Sequence, residues 1–111
     1  MRKKRYNPDK EMWATVTQDI NKSVPWYLMS AYAYYELDDP FLTDASFDAL
    51  AKFMLENWDE IEHRHKHLIT EGDLEAGTLL NREFPLIVKG AAQDVIKRKE
   101  ASEQRKVSAR R

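Results

Sequence analysis

The chain has 111 residues, no cysteine and a formal net charge of −1, with 42% hydrophobic and 33% charged residues. That length favours a single domain with its own core, and the composition is globular rather than disordered. The lack of cysteine excludes disulfides and thiolate metal sites and suits a cytoplasmic setting, while no apolar run approaches the ~20 residues of a membrane span.

The expected class is all-α. Three glycines and four prolines are few, and no run alternates with period two. The basic start, "MRKKRYNPDK", has no apolar segment after it and does not read as a secretory signal. A first helix is expected at "NPDKE", with Asn7 as cap and Pro8 at the first helical position. Trp13, Val16 and Ile20 would mark its inner face. "NKSVP" interrupts, and a second helix is predicted from Pro25 through "WYLMSAYAYYEL". Pro40 disfavours helix at Asp39, so "DDP" ends it.

A third helix is predicted to open at Thr43, a good N-cap, with Asp44 at the positive end of the dipole. Phe47, Leu50, Ala51, Met54, Trp58, Ile61, His65 and Leu68 follow helical spacing for about six turns. The expected architecture is therefore a small helical domain built on a hairpin, about 25–37 and 44–68, with helices before and after. "TEGD" reads as a break, and "LEAGTLL" as a short helix at most. A last helix is expected from near Pro85 to about Glu103, apolar through Ile87, Val88, Ala91 and Val95. The domain is placed at 1–96, with 97–111 a basic, frayed tail.

Charge is unevenly placed. Residues 36–62 carry one lysine against nine acids, whereas residues 97–111 carry seven basic residues against two acids. The acidic middle holds the informative stretch, "YYELDDPFLTDASFDAL", residues 34–50. Tyr34 and Tyr35 close the second predicted helix. Asp44 and Asp48, spaced i, i+4, share a face of the third. A tight turn between the helices would bring the tyrosines near the two aspartates. Aromatic faces with carboxylates suit a flat cationic ring bearing hydroxyls and amides. A purely structural account stands beside this one: Trp26 and Tyr32 packed in the core, Tyr34 or Tyr35 as amphipathic core, Asp44 neutralising a dipole, and Asp48 pairing with Lys52 for only ~0.3–0.5 kcal/mol.

The stretch "AYYELDDPFLTDASFDAL" resembles the N-terminal helical subdomain of bacterial NAD-dependent DNA ligases. That family carries a pattern like Y-[YH]-x-x-D-x-P-x-[IL]-[ST]-D-x-x-Y-D-x-L. Tyr34, Tyr35, Asp38, Pro40, Leu42, Thr43, Asp44, Asp48 and Leu50 match it in order and spacing. The resemblance spans about residues 26–68. It implies recognition of the nicotinamide mononucleotide half of NAD (NMN). Tyr34 and Tyr35 would face the nicotinamide, and Asp44 and Asp48 would meet polar groups of the nucleotide. The family's remaining site tyrosine falls on Phe47, which keeps the ring and loses the hydroxyl. Ser46 stands where the family often has Glu, which weakens the capping box with Thr43. The family's Lys-x-Asp-Gly nucleophile motif is missing, since no Asp-Gly pair occurs in this sequence. The resemblance therefore implies a non-catalytic, free-standing copy of one subdomain, of a kind that small phage-type genomes carry.

Two other groups carry chemistry. "HRHKH" spaces His63, His65 and His67 two apart. On a helix His63 and His67 would share a face, with Glu60 or Glu62 as a third ligand, Glu60 the better placed. Cations at a helix C-terminus account for the same residues, and no metal is expected. The basic ends, "RKKR" and "KRKEASEQRKVSARR", are candidates for phosphate contacts, although the tail has no aromatic residue for base stacking. Three functions follow. The first is a nicotinamide-nucleotide module taking NAD or NMN. The second is an interaction module whose acidic hairpin meets a protein partner in DNA metabolism. The third is nucleic-acid binding through the termini.

Overall fold

A computed structural model describes residues 6–79 and 83–109, with side chains through residue 102 of the last helix. The N-terminal "RKKR" and the last two arginines, candidates for phosphate contacts, lie outside the described residues. The described chain is all-α and contains no strand. Five α-helices run in order: α1 Pro8–Gln18, α2 Ser23–Ala31, α3 Asp44–Glu56, α4 Glu71–Ala76 and α5 Leu86–Ala109. None of them is long and apolar enough to cross a membrane. Helix α2 is the centre, packing on α1, α3 and α5.

Helix α1 begins as expected. Asn7 accepts a hydrogen bond from the Lys10 amide at 3.2 Å, and Pro8 fills the first position, where no amide donor is needed. Its inner face is centred on Met12 and Val16, both buried, rather than on Trp13, which is half-buried. Ile20 lies past the helix, in a 3₁₀ turn over Ile20–Lys22. Helix α2 starts two residues before Pro25, which is tolerated because first-turn amides have no intrahelical partner. Eight of its nine residues are buried, Trp26 among them as expected.

The largest departure concerns the third helix. It was expected to reach residue 68, and it ends at Glu56. Asn57 breaks it: its amide Nδ2 donates to the Phe53 carbonyl at 2.8 Å, and its backbone leaves the helical region at φ −115°, ψ 19°. Short amide side chains offer the backbone this alternative to the helical ladder. The chain then makes a 3₁₀ turn, Trp58–Glu60, and extends at Ile61. Lys66 holds the reversal by donating from Nζ to the carbonyls of Trp58 and Ile61, each at 2.8 Å, while lying 4.5 Å from the Trp58 ring centroid. The apolar spacing persisted past Asn57 because Ile61 and Ile69 are buried from a wrapping loop, not from a helix face.

"TEGD" proves to be a helix start. Thr70 and Asp73 form a capping box on α4, and Gly77 ends the helix in the left-handed region at φ +67°. Helix α5 continues through Ala109, beyond the Glu103 expected from its apolar pattern. Its buried stripe is Val88, Ala92, Val95 and Ile96, whereas Ile87, expected to face inward, is exposed. One turn of the basic stretch ties back to the N-terminus. Arg98 lies over the Tyr6 ring at 5.0 Å, and the Tyr6 amide donates to Ser102 Oγ at 3.0 Å.

Tyr27 crosses these layers. It is fully buried, stacks on Phe47 of α3 with centroids 5.0 Å apart, and donates its hydroxyl hydrogen to the Thr78 carbonyl at 2.9 Å. Tyr27→Phe keeps the ring stack and strands that carbonyl. Urea unfolding should show a loss of about 1–3 kcal/mol, with the denaturant slope unchanged.

Candidate functional site

The first arm of the hairpin ends irregularly. After α2 the chain widens into a π turn over Tyr32–Glu36, and the Leu37 amide bonds back to the Tyr32 carbonyl at 3.1 Å. Asp38 follows in the left-handed region at φ 52°, the described non-glycine residue with positive φ. Aspartate tolerates that conformation better than most side chains. The Asp39 amide then closes the end on the Ala33 carbonyl at 2.9 Å. In a regular helix adjacent side chains diverge. Here the rings of Tyr34 and Tyr35 meet edge to face, with centroids 4.8 Å apart. Local widening of this kind is over-represented at functional sites.

Helix α3 supplies the other side. Thr43 caps it, its hydroxyl oxygen accepting from the Ser46 amide at 3.2 Å, and its own amide donates to Asp9 Oδ1 at 3.0 Å. The cap thus holds without a glutamate at position 46. Phe47, one turn on, is the shared member of a parallel aromatic stack. Its plane lies within 6° of Tyr27 and within 5° of Tyr34, whose centroid is 6.1 Å away. Phe47 itself is only 7% exposed, while Tyr34 is 40% exposed. The stack therefore runs from the core to the surface, with Tyr34 at its open end. Tyr35 is half-buried beside it.

Asp44 and Asp48 are both exposed and one turn apart on α3. Asp48 lines a groove of about 370 Å³ between α3 and α4, with Lys52, Leu55, Leu74 and Gly77. Tyr34, Tyr35 and Asp44 lie outside that lining. Asp48 and Tyr35 do meet electrostatically at a third group. The Tyr27 hydroxyl is held well above the usual phenol range, first by burial and then by Tyr35, Asp73 and Asp48. Of the predicted residues, Tyr34, Tyr35 and Phe47 meet as an aromatic edge, while Asp48 lies in the groove between α3 and α4. Asp44 extends the carboxylate row by one turn.

Three residues of this site were missed from sequence. Tyr27 has no role in the sequence reading, though Tyr27, Ala31 and Tyr34 recur at i, i+4, i+7 and announce one face. Gly77 and Thr78 fall within the short helix expected at "LEAGTLL", whereas α4 ends before them at Ala76. Gly77 matters to Asp48 directly: a β-carbon there would stand 3.3 Å from Asp48 Oδ1.

The histidine tract has a different geometry from the helical one weighed from sequence. Residues 61–63 are outside any helix, so His63 and His67 do not share a helix face. Among the described residues no group of three or more His, Asp or Glu side chains is arranged to hold a metal. His63 Nδ1 accepts from the His65 amide at 3.1 Å. Burial, with His65 and Arg64 adding, holds the His63 imidazole below its ordinary range.

Two outcomes follow. Gly77→Ala should lose about 1–2 kcal/mol by urea unfolding, because the left-handed backbone penalises a β-carbon, and should displace the Asp48 carboxylate. The depressed His63 pKa means the unfolded chain takes up a proton first as pH falls. Its stabilising contribution is complete above the ordinary histidine value, about 6.5, is lost as pH falls toward the folded value, and then levels off. His63→Asn should flatten that part of a stability–pH profile.

No protein-family model, curated protein or solved structure matches the chain.

Proposed function

We propose that the chain is a non-catalytic module that recognises a nicotinamide nucleotide, NMN or the same half of NAD, on the hairpin surface of Tyr34, Tyr35, Phe47, Asp44 and Asp48. The observation that carries this reading is the parallel pair of Tyr34 and Phe47, 5° and 6.1 Å apart, with carboxylates on the helix that bears Phe47. Tyr34, 40% exposed at the open end of the stack, offers its outer face to a further flat ring, which would extend the stack by one member. A pyridinium ring is cationic, so it gains from the aromatic face and from Asp48 and Asp44 together. Ribose hydroxyls and the carboxamide supply donors for those carboxylates. The sequence resemblance to the ligase subdomain points to the same residues. The absence of an Asp-Gly motif from the sequence is why no catalytic step is assigned. A cytoplasmic setting, where NAD is available, fits this reading.

A second reading rests on exposure. Glu36, Asp38, Asp39, Asp44 and Asp48 all face solvent on one hairpin, a surface suited to a basic protein partner such as one acting in DNA metabolism. Nucleic-acid binding is the weakest of the three, since this acidic face would repel phosphates.

The two leading readings separate in one titration. NMR spectra with added NMN and NAD should show saturable shifts centred on Tyr34, Tyr35, Phe47 and Asp48. Tyr34→Ala and Asp48→Ala, both at exposed positions, should abolish them while leaving the rest of the spectrum folded. No shift at millimolar nucleotide would overturn the nucleotide reading and leave the acidic hairpin as a protein-binding surface.

A further inference from the structure

A second concavity lies on the face of α2 away from the hairpin stack, and the nucleotide reading does not use it. It measures about 270 Å³. Helix α2 contributes Pro25 and Met29, and α5 contributes Ile87, Val88 and Ala91, so two of its walls are wholly apolar. The third wall is the loop after α3, which supplies His63, Arg64 and His65. None of the lining residues is acidic. Of the lining residues Ile87 is 64% exposed, and Leu86, next to it in sequence, is 83% exposed. Apart from Tyr34, these are the large apolar side chains that the described surface leaves open, and adjoining exposed aliphatics at a concavity mark binding surfaces rather than chance.

The polar wall is chemically one-sided. Arg64 is exposed and carries a permanent charge. His65 Nε2 is shielded from solvent, and no hydrogen-bond partner meets it among the described residues. Leaving such an atom unpaired is costly. His63 uses Nδ1 to accept from the His65 amide, which fixes its tautomer and leaves Nε2–H as a donor. The nearby groups acting on His63 are His65 and Arg64, and α2 and α5 bring only apolar side chains to the groove. The wall therefore presents donors and positive charge with no carboxylate to neutralise them.

From this juxtaposition we infer that the groove binds a small amphiphilic carboxylate: a short apolar chain lying along Met29, Val88 and Ala91, and an acid group at His63, Arg64 and His65. The chain buries apolar area that is now open. The carboxylate accepts charge-assisted hydrogen bonds from Arg64 and the imidazoles, and it supplies the partner that His65 lacks once that ring turns toward it. By linkage, an anion at this wall favours the protonated imidazole. Binding should tighten as pH falls, and His63 should titrate at higher pH when the groove is filled.

Octanoate, octanol and octylammonium share a chain and differ in head-group charge, so together they test both halves of the site. In NMR titrations near pH 6, octanoate should saturate shifts of the Met29 and Ile87 methyls and the His63 and His65 rings. Octanol should bind the same residues roughly tenfold more weakly, and octylammonium should not bind. Arg64→Gln should reduce octanoate to the octanol level, and Ile87→Glu should abolish both. Both substitutions are at exposed positions and leave the core untouched. The His63 pKa should rise in the octanoate complex. Equal binding of octylammonium would overturn the assignment, as would octanoate shifts outside this groove, no shifts at all, or an unmoved His63 pKa.

Discussion

Tyr27 joins three parts of this fold: α2, α3 and the chain beyond α4. Its ring lies in the core of α2 and stacks on Phe47 of α3. Its hydroxyl reaches past the stack to the Thr78 carbonyl beyond α4. A buried aromatic ring contributes a large apolar area, and a buried hydroxyl must find an acceptor. Together these two requirements fix the rotation of α3 against α2 and the position of the chain leaving α4. The proposed site inherits that placement, because Phe47 passes it on to Tyr34, and Gly77, one residue before Thr78, stands against Asp48.

The exposed end of the stack owes its shape to an irregularity. The π turn at Tyr32–Glu36 inserts an extra residue per turn, and Asp38 reverses the chain with positive φ. Tyr32 and Ala33 stay buried while Tyr34 emerges. A regular helix through these residues would rotate Tyr34 and Tyr35 apart instead of bringing their rings together. The deviation from ideal geometry is thus what makes an aromatic edge available at the surface.

Helix α2 serves two separate surfaces. One face carries Tyr27 and the aromatic stack, and another carries Pro25 and Met29 at the groove with α5. The loop after α3 connects them in sequence but not in chemistry. Lys66 anchors it on backbone carbonyls, and that anchorage leaves His63, Arg64 and His65 turned to the groove. A hairpin rich in carboxylates and a groove walled by imidazole and guanidinium thus sit on one small domain.

Much of the fold was legible in the residues alone. The all-α class, the caps at Asn7 and Thr43, Pro8 at the first position and the burial of Trp26, Tyr32 and Phe47 all rest on local rules: capping geometry, fixed proline φ and helical spacing. The same rules put Asp44 and Asp48 on one face of α3. They failed where a side chain competes with its own backbone. The apolar spacing of Trp58, Ile61 and Leu68 ran on as if helical, and the Asn57 amide bonded to Phe53 ended the helix instead. Which apolar residues of α5 turn inward was likewise undetermined, because Ile87 and Val88 are equivalent until α2 selects Val88. The sequence by itself determined the all-α class and the helix starts at Asn7 and Thr43, since these follow from local backbone and side-chain preferences. Only the tertiary structure decided which of the candidate site residues meet, because the Tyr27–Phe47–Tyr34 stack and the histidine wall are set by long-range packing that no local spacing encodes.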